Sequence, residues 1–152
     1  MDTPEMWSWL DAKGVTRDDI LAAALELYVP HPEVETREKA LEVLSSILDK
    51  ALQDPNINSL VMAGFLLEEE GRKGSIPGLP RETFDKDPVF LVADEVIGMA
   101  IAEYIGGTRA RFEYVRYDRK KPGILGRLGP FLDDTICGLI AGATSRMYSG
   151  VG

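Results

Sequence analysis

An all-α fold, a compact single-domain helical bundle over residues 1–152, is what this sequence predicts. Three observations predict it. Apolar residues recur at helical spacing through most of the chain. Gly and Pro clusters punctuate those segments at the places where helices end. One segment alternates like a strand, but no other segment offers it a partner, so a sheet has nothing to form from.

The elements follow in order. PEMWSWLDAKG forms a short amphipathic helix with Trp7 and Leu10 on one side and Gly14 at its end. TRDDILAAALELYV carries Thr16 as N-cap with Asp19 three residues on, close to a capping box, and a stripe of Ile20, Ala24 and Leu27. PHPEVE breaks it. TREKALEVLSSILDKALQD is capped by Thr36 and places Ala40, Leu41, Leu44, Ile47, Leu48, Ala51 and Leu52 at helical spacing. A third long helix runs from about residue 56 to Gly71. Residues 72–88 read as a loop. The apolar run VFLVADEVIGMAIAEYI, residues 89–105, reads as a buried core helix stopped by Gly106 and Gly107. TRARFEYVRYDRKK fits either period and is assigned as helix. KPGILGRLGP is a loop, and FLDDTICGLIAGATSRMYS is the last helix.

Composition excludes several classes. A formal net charge of −8 argues against non-specific nucleic-acid binding, because no basic face is available for a phosphate backbone. The single cysteine, Cys137, forms no internal disulfide and belongs to no zinc-type cluster. A reducing, cytoplasmic setting is expected, and the N-terminus has no signal-peptide pattern. Asp94, Glu95 and Glu103 interrupt the apolar run and argue against a membrane span.

Candidate chemistry lies in the carboxylates. Glu68, Glu69 and Glu70 end a helix, where Arg72 and Lys73 can neutralise them, and Asp133 and Asp134 can cap a helix start. Asp94 and Glu95 lack such an explanation. Neighbouring helical positions lie about 100° apart, so in an apolar helix at least one of the two points inward, where an unpaired charge is costly. Asp94, Gly98 and Ala102 repeat the spacing of Asp134, Gly138 and Gly142, and Gly64 stands likewise before Glu68. Small residues beside acids let helices approach closely. Carboxylates from separate helices then converge on a hard divalent cation, which prefers oxygen ligands. The alternative is a set of salt bridges to Arg116, Arg119, Lys120 and Lys121. In YVRYDRKKPG, Arg116, Lys120 and Lys121 surround Asp118 and suit a phosphate clamp, or else a self-neutralising loop. His31 reads as a surface residue and Cys137 as core.

Three ordered blocks, VADEVIGMAIAEYIGG, FEYVRYDRKKPG and GPFLDDTICGLIAG, resemble the phosphatidylglycerophosphatase A superfamily. LYV, DPNINSLVMAGFLLEEEG and SIPGL resemble its soluble archaeal-type branch, which includes alpha-ribazole phosphatases. The resemblance implies an all-helical fold and Mg²⁺-dependent phosphomonoester hydrolysis, with Mn²⁺ as the alternative ion. It matches Asp94, Glu95, Asp133 and Asp134 to the acidic positions and Arg116, Asp118 and Lys121 to an R…D…K block. Glu68 falls where soluble members carry an acid after a glycine. SIPGL stands where the membrane branch has a glycine-rich P-G-T segment.

The resulting expectation is a phosphatase for a small phosphorylated substrate. Glu68, Asp94, Glu95, Asp133 and Asp134 would hold one or two ions, with Arg116 and Lys121 on the phosphate. Asp118 would orient a base or accept a proton. Attack by water and a carboxylate nucleophile both remain open, with Asp118, Lys121 and Asp134 as the candidate catalytic residues. The leading substrate is alpha-ribazole 5′-phosphate. Phosphatidylglycerophosphate, reached through MDTPEMWSWL at a membrane surface, is the competitor, and a helical binding module without turnover is the third reading. The small-residue face of the last helix would suit a homodimer.

Overall fold

The structure, a computed structural model, describes residues 3–150. Among them are eight α-helices: α1 Glu5–Ala12, α2 Arg17–Glu26, α3 Arg37–Ala51, α4 Pro55–Lys73, α5 Arg81–Asp85, α6 Ala93–Gly106, α7 Ala110–Lys120 and α8 Pro130–Tyr148, with a 3₁₀ turn at Gly123–Gly126. No strand forms among the described residues; two isolated bridges, His31 with Val34 and Ile76 with Leu79, close connectors.

Local chemistry explains the ends. Thr16 and Asp19 form a full capping box at α2, each side chain bonding the other's backbone N–H at 3.0 Å. Thr36 caps α3, and Asp54 caps α4 with Pro55 at its first position. Gly74, at φ 71°, closes α4 in the left-handed conformation.

Helix α8 is the centre of the molecule. Every residue from Phe131 to Ser145 is buried. A helix that is apolar nearly all round has no solvent face, and α3, α4, α6 and α7 all pack on this one. The small residues expected to suit a homodimer are covered within the chain, so that face of α8 is not open to a second copy. Gly138 meets Gly98 of α6, where a Cβ would fall 2.2 Å from the Gly98 carbonyl oxygen. Gly64 meets Thr135, where a Cβ would fall 2.0 Å from the hydroxyl. Both approaches require glycine.

Four further expectations change. Helix α6 begins at Ala93, not at residue 89. Residues 88–91 form a turn, with the Leu91 N–H bonding the Pro88 carbonyl at 3.0 Å, and Val89 and Phe90 are 99% and 68% exposed. The run is thus an exposed turn leading into a helix whose outer face, Val92 and Val96, also meets solvent. Residues 72–88 contain α5, whose Phe84 stacks on Phe131 at 6.2 Å. Leu41 lies outside the core, at 41% exposure. The N-terminal segment does not offer its apolar face to a bilayer: Met6, Trp7 and Leu10 are buried, and Trp9 packs edge-on against Phe65 at 5.1 Å. Residues 1 and 2 lie outside the described part. No helix among the described residues is long and apolar enough to cross a membrane.

Candidate metal centre

The later start of α6 answers the puzzle of two acids in an apolar run. Asp94 and Glu95 occupy the first turn of the helix, where the backbone N–H groups and the dipole favour negative charge. The Asp94 Oδ1 accepts the Glu95 N–H at 2.8 Å. Asp133 lies in the first turn of α8, with Asp134 next to it. Because α6 and α8 cross on Gly98 and Gly138, their first turns come together.

Asp94, Glu95 and Asp134 each offer a carboxylate oxygen within 4.8 Å of the other two. Asp118, in the last turn of α7, does the same with Asp133 and Asp134. Asp134 belongs to both groups. Asp94, Asp133 and Asp134 are buried, at 3%, 6% and 5% exposure. None of Asp94, Glu95 and Asp134 has an ion-pair partner among the described residues. Buried like charges this close do not coexist without a proton or a cation. The Asp133 Oδ1 is likewise buried without a hydrogen bond. An all-oxygen set with unmatched lone pairs is the chemistry of a hard divalent cation site.

Lys121 supplies the nearby positive charge. It ends α7 in the left-handed conformation, φ 46°, and its ammonium bonds both Asp118, at 3.2 Å, and Asp133. Burial works against that charge, but the two carboxylates outweigh it and hold the ammonium protonated.

The acids respond to their surroundings. Burial raises Asp133 to about 6, against the lowering pull of Lys121. Burial, then the Asp94 charge, pushes Asp134 far above the ordinary carboxylate range, and burial raises Asp94 as well. The folded state therefore holds more protons than the unfolded chain above about pH 4. Without an ion, the stability from these groups is present below that range and is lost as pH rises through 6 and beyond. A cation needs the ionised forms, so its binding releases protons. Melting temperatures with and without Mg²⁺ between pH 5 and 8 are expected to diverge as pH rises; a constant difference would show that these groups do not bind the ion.

Two residues expected in the site lie outside both carboxylate groups. Glu68 is buried at 1% exposure, but its Oε1 accepts the Phe131 and Leu132 N–H groups, both at 3.0 Å, and so caps α8. It belongs to neither carboxylate group. Glu68→Ala is expected to cost roughly 2 kcal/mol of folding stability, read by urea denaturation, while Mg²⁺ still raises the melting temperature. Arg116 turns away from Asp118, as positions two apart on a helix must, at about 200°. Its guanidinium pairs with Glu113 at 2.9 Å, bonds the Leu27 carbonyl and lies over the Tyr117 ring. It ties α7 to the end of α2 and does not face the acids.

Asp118 stands among the acids themselves, beyond the orienting role expected of it. Asp87 was not singled out. It sits at φ 47° before Pro88, and its charge raises the pKa of Glu68, Asp94, Glu95 and Asp133. A lone Asp in a loop carries no periodicity that would reveal this. Cys137 is buried, with burial pushing its thiol far up, and His31 belongs to neither group of acids.

A model of the phosphatidylglycerophosphatase A family matches residues 41–149. An uncharacterized protein of Methanocaldococcus jannaschii is 42% identical over 130 residues, covering 83% of this chain and 98% of that protein. Among solved structures, the low temperature requirement C protein of Listeria monocytogenes superposes with a TM-score of 0.77 at 27% identity, over 93% of this chain and 91% of the other. A protein of unknown function from Bacillus stearothermophilus, at 24% identity and a TM-score of 0.75, covers 93% of this chain and 94% of its own, and shows the same fold.

Proposed function

This chain belongs to the phosphatidylglycerophosphatase A family, and from that premise we propose a Mg²⁺-dependent phosphomonoesterase whose substrate is alpha-ribazole 5′-phosphate. Family membership gives phosphatase-type, metal-dependent activity. The observation that carries the reading is the pair of carboxylate groups sharing Asp134, one of them with no basic partner.

Asp94, Glu95 and Asp134 would hold one ion, and Asp118, Asp133 and Asp134 a second. Such a cation, when bound, polarises phosphoryl oxygens and lowers the pKa of a water. The protein's own residues do the rest. The Glu95 N–H in the first turn of α6 steadies the Asp94 carboxylate. Glu68 pins the start of α8 and thereby fixes Asp133 and Asp134. Lys121, held between Asp118 and Asp133, is the cation available to a phosphate monoester entering the site. The short Gly123–Gly126 turn after it, packed on α2, holds that residue's backbone in place.

A water-soluble nucleotide monoester suits a chain without a spanning helix among its described residues and with SIPGL in place of the glycine-rich segment of the membrane branch. One observation favours the lipid substrate instead: Val89, Phe90, Val92 and Val96 are exposed and lead directly to Glu95. Assay of alpha-ribazole 5′-phosphate, phosphatidylglycerophosphate in mixed micelles and an aryl phosphate side by side separates the readings. The proposal expects Mg²⁺-dependent release of phosphate, abolished by chelator, with the highest kcat/KM for alpha-ribazole 5′-phosphate. A preference for the micellar substrate overturns that choice, and no release from any of the three returns the chain to a binding role.

A further inference from the structure

Tyr114 lies in the middle of α7 at 3% exposure, and its hydroxyl is buried without a hydrogen bond. A buried donor left unmatched is costly, which makes such a group unusual. The other deeply buried tyrosine of the same helix, Tyr117, obeys the rule: its hydroxyl bonds the Ala24 carbonyl at 2.6 Å.

The surroundings of the Tyr114 hydroxyl say what it is aimed at. It sits where α6 and α8 cross. A Cβ on Gly98 would fall 2.8 Å from that oxygen and 2.4 Å from the backbone carbonyl oxygen of Asp134. The glycine four residues after Asp94 thus makes room for both the tyrosine tip and the α8 backbone at Asp134. Among charged groups, the Asp134 carboxylate acts most strongly on this hydroxyl. Asp134 is also the acid common to both groups, with a carboxylate oxygen within 4.8 Å of one of Asp94.

We propose that Tyr114 is a positioning residue: its hydroxyl, buried where α6 crosses α8, donates to the Asp134 carboxylate when a divalent cation is held there, and so orients the shared ligand. A phenol O–H matched to a carboxylate is a strong donor, and partners of this kind set the orientation of metal-binding carboxylates. This inference rests on the metal-site reading above.

The test is Tyr114→Phe, which removes one oxygen and keeps the ring between α6 and α8. Mn²⁺ binding is measured by titration calorimetry, and melting temperature with and without the ion by circular dichroism. The variant is expected to melt without ion at or above the wild-type temperature, since an unmatched buried hydroxyl has gone. Its Mn²⁺ affinity is expected to fall roughly tenfold or more, and the ion-induced rise in melting temperature to shrink with it. Equal Mn²⁺ affinity in the two proteins overturns the role of Tyr114 and leaves the metal site standing. Failure of the wild type to bind Mn²⁺ overturns both. A second measurement needs no variant. Wild-type protein labelled with ¹³C at tyrosine Cζ should show one of its five tyrosine signals moving as Mg²⁺ is added. Five unmoved signals at saturating Mg²⁺ would contradict the proposal even if the variant failed to fold.

Discussion

Asp94→Asn is expected to reduce phosphate release by about a thousandfold, the loss of several kcal/mol of charge stabilisation at the reacting phosphoryl group. The same change leaves the ion-free fold as stable as the wild type or more so. Asp94 is buried beside Asp134 without a cation of its own, so the substitution removes a buried charge and keeps a group able to hydrogen-bond. Activity and stability therefore move in opposite directions, which a structural salt bridge would not allow: breaking a buried pair costs several kcal/mol of stability. The check is kinetic assay at saturating Mg²⁺ together with urea denaturation in chelator. Full turnover would remove Asp94 from the site, and a large loss of ion-free stability would make its role architectural.

Gly98→Ala is the second large effect, and it acts through the backbone. A methyl group at this position would lie 2.4 Å from the Asp134 carbonyl oxygen and 2.7 Å from the Tyr114 ring. The first neighbour is backbone on the central helix, and the second is locked in the core. Neither can yield cheaply. Overpacking of this kind costs typically 1–3 kcal/mol, and relief requires α6 and α8 to move apart. Asp94 and Asp134, one on each helix, separate with them. The variant is expected to lose both stability and Mg²⁺ affinity, whereas a substitution on the outer face of α6, Val96→Ala at 61% exposure, is expected to leave both near wild type. Calorimetric titration and thermal melts of the two variants provide the comparison.

The reasons for success and failure in reading the sequence are physical. Helix α3, with a one-sided apolar stripe and a capped start, was legible because periodicity and cap chemistry agree, and α2 was legible from its capping box. The crossing of α6 on α8 was legible in the repeated acid-then-small spacing, since close approach demands glycine wherever it occurs. The start of α6 was obscured because VFLV is as apolar as the helix that follows it, and hydropathy does not separate an exposed turn from a core helix. The acids themselves held the missing signal: first-turn carboxylates are the stabilised ones, so Asp94 and Glu95 mark a helix start. Burial of α8 was also written in its all-round apolar character. Arg116 could have been set aside from its two-residue offset to Asp118. The capping role of Glu68 could not be read, because it depends on where α4 meets the start of α8. Asp87 and Tyr114 reach the site only through tertiary placement.

Anomalous diffraction from crystals equilibrated with Mn²⁺ tests the central claim most directly. Density is expected between the carboxylates of Asp94, Glu95 and Asp134, or between those of Asp118, Asp133 and Asp134, with oxygens at about 2.1 Å. Fully loaded crystals with Mn²⁺ bound elsewhere, or with no density beside Asp94 and Asp134, would contradict it.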